Sequence, residues 1–218
     1  MAADPRTVDV PVRRLGRWLE GFADRHGQYV VQRSDGPDGP DRWQATAADG
    51  SVAVIHGPAW SGLFGDVPDL TALGASEPAF GVVLVRRAGY AVGSFVGSRS
   101  VQRKVGTRHI HGRTAAGGWS QQRYARRRGN QSEEIASAVA ATASRLLGPA
   151  ADATIPAAQF LVTGGDRPLV AAVLAQLEGP AADLRVVAHL GIGNPDAAVL
   201  AGVPDRVLAV AIDIIDAG

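Results

Sequence analysis

The sequence predicts an α/β protein, a mixed sheet with flanking helices, preceded by a small α+β region. Three observations carry that reading. Apolar residues recur at helical spacing near the N-terminus, three strand-like runs follow one another between residues 80 and 105, and strand-like and helix-like segments alternate from there on. The 218 residues suffice for one large domain or two small ones, and a hydrophobic content of 46 % supports a packed core.

Val12, Leu15, Leu19 and Phe22 predict an amphipathic helix from about residue 11 to 26, ending near His26-Gly27. Gln28 to Arg33 reads as a strand, residues 34–41 as a polar loop of turn residues, and Ser51 to Ile55 as a further strand. From Gly57 to Pro78 the chain is rich in Gly, Pro and Asp, with scattered apolar anchors at Trp60, Leu63 and Phe64. A linker and a domain boundary are expected there. That divides the chain into an N-terminal α+β region, 1–75, without an assigned role, and a second domain, 76–218.

The pattern sharpens from Phe80. Phe80 to Val85 suits a strand buried on both faces, Ala88-Gly89 turns it into Tyr90 to Val96, and Gly97-Ser98 leads into Arg99 to Val105. This meander delivers the chain into Gly106 to Gly118, a loop long enough to suggest function. A helix follows, which Gly129-Asn130 is expected to divide or bend, because Asn130 with Glu133 three residues on resembles a capping pair. Ile135, Ala138, Val139, Thr142 and Leu146 form its apolar stripe, stopped by Gly148-Pro149. The remainder alternates: strand Gln159 to Val162, helix from about Arg167 to Leu177, strand Leu184 to Ala188, a short helix after Pro195, and strand Val207 to Ile212.

Composition narrows the chemistry. With no cysteine there is no disulfide framework, thiolate zinc site or cysteine nucleophile. With no signal-peptide h-region and no window of about 18 uninterrupted apolar residues, a soluble cytoplasmic protein without membrane association is expected. The net charge of +1 hides a segregation. The 55 residues from Pro78 to Ser132 contain no Asp or Glu and 11 of the 22 basic residues, so the segment is +11. The other 11 bases face 21 acids, a net of −10. Such a local field attracts a polyanion, and nucleic acid is the natural partner.

The chemistry concentrates in residues 109–128. Gly117 and Gly118 remove side-chain bulk, so a loop can approach a crowded target with its N–H groups exposed. Gln121 and Gln122 offer amides that donate and accept without a charge to desolvate. Behind them Arg123, Arg126 and Arg127 lie within one helical turn and, with Arg128, Arg108 and Arg113, can grip phosphates, while Trp119 can stack on a base. His109 and His111 could share one side of a strand, but no nearby carboxylate completes a metal site, so no metal or other cofactor is expected. Gly164-Gly165-Asp166 lacks the Lys of a P-loop and reads as a turn with Asp166 capping a helix. Ser120 lacks the G-x-S-x-G context of a hydrolase nucleophile.

From about Phe80 onward the sequence resembles the central catalytic domain of eukaryotic and archaeal class I release factors, where a meander leads into a basic HGR-GGQ loop and a helix beginning SALRFARLR. His111-Gly112-Arg113 matches the loop entry, Gly117-Gly118 the paired glycines, and Arg123-Tyr124-Ala125-Arg126 the R-F-A-R of the helix. It is more similar still to the release-factor-like peptidyl-tRNA hydrolases of ribosome quality control, the Vms-like group, whose actinobacterial branch has a GGWSQQR-type motif like residues 117–123. The resemblance implies an RNase H-like topology. It also implies stop-codon-independent release of nascent chains from stalled ribosomes or large subunits, with peptidyl-tRNA and ribosomal RNA as partners.

Alignment on Arg123 to Arg126 puts Trp119 where a release factor has its catalytic glutamine, so the working amide would be Gln121 or Gln122. With about 75 residues ahead of the catalytic domain, no codon-reading domain is expected there. A noncatalytic ribosome- or tRNA-binding module is the alternative reading.

Overall fold

The computed structural model describes residues 5–34, 42–63, 70–107, 121–148 and 156–217, of which residues 34 and 121–131 are described in backbone only. The chain forms two compact units. The first comprises Met1–Glu77 and Pro204–Gly218, and the second Pro78–Val203.

The first unit is an antiparallel sheet of five strands in the order β1-β10-β4-β3-β2, with β1 Arg6–Pro11, β2 Tyr29–Ser34, β3 Arg42–Ala47, β4 Val52–His56 and β10 Ala209–Ile215. Burial alternates along β3, β4 and β10, the mark of a sheet packed on one face only. Helix α1, Leu15–His26, buries Leu15, Leu19 and Phe22, and Val12, buried too, lies in the single 3-10 turn before it. The helical stripe is thus where the sequence puts it, although the α-helix starts later than residue 11.

The interval from Gly57 to Pro78 is more than a linker. Trp60 is buried and its indole Nε1 donates to the carbonyl of Val207 at 2.9 Å, and α2, Leu70–Ala75, buries Leu70 and Leu73. The last strand also corrects the expected organisation. β10 lies between β1 and β4, pairing Val8 with Ile212 and Ile55 with Ile212, rather than in the sheet of the second unit. Its alternation explains the placement. Val210, Ile212 and Ile214 are buried with partly exposed residues between them, which suits a one-faced sheet.

The second unit is a mixed sheet in the order β7-β6-β5-β8-β9. β5 Ala79–Arg86, β6 Gly89–Val96 and β7 Arg99–Thr107 form the expected antiparallel meander, and β8 Phe160–Gly165 and β9 Val186–Leu190 continue parallel to β5. β5 is buried at every position but Arg86, as its continuous apolar run requires. On one face Phe80 stacks on both Phe95 and Phe160, each at 5.3 Å between centroids, and Leu200 of α5, Ala197–Ala201, packs near Gly93. On the other face α3, Gln121–Leu147, and α4, Arg167–Leu174, close a core around Val83, Val85, Val92 and Leu161. Asp166 caps α4, accepting from the amide of Leu169 at 3.5 Å. Gly165 before it has φ +100, and a Cβ there would stand 2.2 Å from the carbonyl oxygen of Val85, so only glycine fits this turn. α6, Val203–Val207, leads the chain into β10.

Two expectations about α3 change. It is one helix of 27 residues through Gly129-Asn130, with no division there. Its buried stripe is Ala136, Val139, Ala140, Ala143 and Leu147, while Ala138 is exposed. The stripe is turned by about one residue, roughly 100°, from the one built on Ile135 and Leu146. Small alanines let the helix sit close to the sheet, leaving the bulkier Ile135 and Leu146 half-buried at its flanks.

Candidate nucleic-acid interface

Strand directions decide where the second unit gathers its functional groups. β7 runs parallel to β5 because each is antiparallel to β6, so β5, β7, β8 and β9 all end at one edge of the sheet. This is the edge at which α/β proteins build their sites. Arg86 and Arg87 are exposed there in the β5–β6 turn, and Thr107, the last residue of β7, hands the chain to residues 108–120. Arg99, Arg103 and Lys104 are exposed along β7, which is itself the sheet's outer strand.

α3 crosses the sheet toward that edge. Its C-terminal end lies over the start of β5, where Leu147 packs on Gly81 so closely that a Cβ would be 2.8 Å away. Its middle reaches the far edge, where Glu134 and Ile135 lie beside Arg86, Tyr90 and Thr107. Two hydrogen bonds tie it to the segment after α4. The Gln176 amide Nε2 donates to Glu133 Oε1 at 3.0 Å, and the Glu178 backbone N–H donates to Ser144 Oγ at 2.9 Å. From Glu134 to its first residue, Gln121, the helix has 13 further residues, which at about 1.5 Å each make roughly 20 Å of helix beyond this contact.

The sheet is drawn tight at the end of β7. Tyr90 pairs with Gly106, and a Cβ on Gly106 would be 2.4 Å from the tyrosine ring, so the ring lies across bare backbone at the end of β7. An aromatic covering a glycine in an outer strand stabilises the pairing.

Of the residues singled out in the sequence, Gln121, Gln122, Arg123, Arg126, Arg127 and Arg128 occupy the first turns of α3. Arg108, His109, His111, Arg113, Gly117, Gly118, Trp119 and Ser120 lie outside the described residues. Among the described residues no group of three or more His, Asp and Glu side chains is placed to hold a metal ion. Also among the described residues, no helix is long and apolar enough to cross a membrane. Reading motifs alone missed Arg86, Arg87 and Tyr90. Their only sequence signal is the acid-free stretch containing them, since their approach to α3 depends on strand register.

The first unit has its own polar cluster. Asp213 on β10 accepts from Thr7 Oγ1 of β1 at 2.6 Å and contacts His56 Nε2 of β4 at 2.8 Å. The Thr7 hydroxyl first, and then His56, hold its carboxyl below the usual value of 3.8. A second contact joins His26 Nδ1 to Asp49 at 2.9 Å.

The second unit thus joins a mixed sheet to a long helix whose first turns are basic, and comparison with known families finds a match. The family model described as the actinobacteria/chloroflexi VLRF1 release factor matches residues 78–213, more than half of the chain. The chain belongs to this family, which implies a role in translation and interaction with the ribosome. The comparison with curated proteins finds no match.

Proposed function

We propose that this protein is a cytoplasmic peptidyl-tRNA hydrolase that enters the large ribosomal subunit and frees nascent chains from stalled ribosomes without reading a stop codon. The observation that carries the reading is α3. It begins at Gln121-Gln122, extends roughly 20 Å beyond its contact at the sheet edge, and its first turns close a segment of 55 residues free of acids. A narrow, basic, advanced element is what reaching a reaction centre walled by RNA requires. The sheet order, a meander followed by two strands parallel to its first, supports the RNase H-like topology.

The bond to be broken is the ester between the nascent peptide and the terminal ribose of tRNA. Such an ester is already activated, so the catalyst need only position a water against the carbonyl and support the developing oxyanion. In this reading Gln121 orients the water, and Gly117 and Gly118 let backbone N–H groups come close. Gln122 supports or contacts RNA, Trp119 stacks on a base, and Arg108, Arg113, Arg123, Arg126, Arg127 and Arg128 hold phosphates. No metal takes part.

Purified protein incubated with ribosome-bound peptidyl-tRNA lacking a stop codon should liberate free peptide. Gln121→Ala should cut release by about a hundredfold with ribosome binding nearly unchanged, the scale of losing one positioning group in a transition state. Gln122→Ala should be milder. Harmless substitution at both positions, with binding intact, would leave the noncatalytic ribosome-binding module as the better reading.

A further inference from the structure

At the root of the advanced helix, Arg86, Arg87, Tyr90, Thr107, Glu134 and Ile135 surround a cleft of about 300 Å³. Its walls carry three chemistries. The turn between β5 and β6 presents two exposed guanidinium groups, Tyr90 and Ile135 supply a half-buried aromatic and aliphatic surface, and α3 contributes the exposed carboxylate of Glu134.

We propose that this cleft binds one unpaired ribonucleotide of the RNA against which α3 docks, an inference that rests on RNA being the partner. Arg86 and Arg87 hold the phosphate, for which guanidinium forks are matched in geometry. Tyr90 and Ile135 pack against the base, whose face is apolar and aromatic whatever its identity. Glu134 accepts a hydrogen bond from the 2′-hydroxyl, the group by which a protein tells RNA from DNA. A carboxylate has about four acceptor sites, so other neighbours of Glu134 leave it able to take this one.

A bare phosphate ion would satisfy the two guanidinium groups but gain nothing from the apolar wall of Tyr90 and Ile135. An acidic peptide fits less well, because it offers no planar ring for the Tyr90 side of the cleft. The volume sits at the lower end of the range for small-ligand sites, enough for one nucleotide and too little for a duplex. The cleft therefore reads a splayed base beside the probe and would set how deeply α3 advances.

The test measures binding of a short single-stranded RNA by fluorescence anisotropy, with DNA of the same sequence and a polyglutamate peptide as competitors. The full chain is compared with the double variant Arg86→Ala, Arg87→Ala and with Glu134→Gln, each checked by thermal melting. The double variant should weaken RNA binding about tenfold and make it less sensitive to salt. Glu134→Gln should shrink the preference for RNA over DNA. A 4-thiouridine in the RNA should crosslink to the segment containing Tyr90.

Unchanged RNA affinity in the double variant, no crosslink between residues 79 and 107, or equal displacement by polyglutamate would overturn the proposal. Equal wild-type affinity for RNA and DNA would do the same. None of these readouts requires peptide release. Cleft-dependent RNA binding without release would count against the hydrolase and for the cleft, whereas release with cleft-independent RNA binding would count against the cleft alone.

Discussion

Asp213 is the clearest case of one side chain coupling several strands. Its two oxygens engage β1 through Thr7 and β4 through His56, so the carboxylate bridges both neighbours of β10. Because its pKa is depressed in the folded state, the stability it contributes is present above the ordinary carboxylate value of 3.8 and lost as pH falls through the lowered value. Its side chain is 32 % exposed, so solvent screens the effect. Asp213→Asn should lower the melting temperature at neutral pH and reduce the loss of stability on acidification below about pH 4. Melting curves recorded across pH would check this, and identical acid profiles for the two proteins would refute it. Contacts of this kind, like the approach of Arg86 and Tyr90 to Glu134, join residues far apart in the chain. Asp213 and Thr7 are 206 positions apart, so nothing in local spacing announces them.

At the scale of elements, the parts with a strong local pattern were the legible ones. The meander from Phe80 to Val105, the stripe of α1 and the Asp166 cap could all be read because apolar runs and turn residues punctuate them. β1 and β3 were not read. β3 buries Trp43, Ala45 and Ala47, and two alanines make a faint apolar face. The same faintness misplaced the stripe of α3 by one residue, because its contact with the sheet is mostly alanine. The division that Gly129-Asn130 suggests is absent, because a capping pair is a weak local signal beside the packing of the following turns on the sheet. The continuity of α3 also bears on docking. Replacing Arg126 and Arg127 with Ala should weaken ribosome association and flatten its salt dependence, since each lost phosphate contact releases fewer counterions. Binding unchanged at every salt concentration in a sedimentation assay would rule out this docking role.

At the scale of the whole molecule, the second unit is one uninterrupted stretch of chain, whereas the first is assembled from both ends. Removing residues 209–218 takes out the strand between β1 and β4 and, with Asp213, the shared partner of Thr7 and His56. Hydrogen exchange on that truncated protein should show protection lost across residues 6–56 and kept in β5, β6 and β8. Protection retained in both regions would mean that β10 is dispensable to the first sheet.

The position of β10 also fixes an order of events while the chain is being made. All five strands of the second sheet come before β10, so the meander and its parallel strands can pair as they emerge. β1, whose only sheet neighbour among the described residues is β10, must wait for nearly two hundred residues to pass before that neighbour exists. In the interval Trp43, Ile55 and Leu19, all destined for burial, are without their completed sheet. The first sheet is therefore completed only after the whole of the second has been made, and its apolar residues need protection from aggregation in that interval.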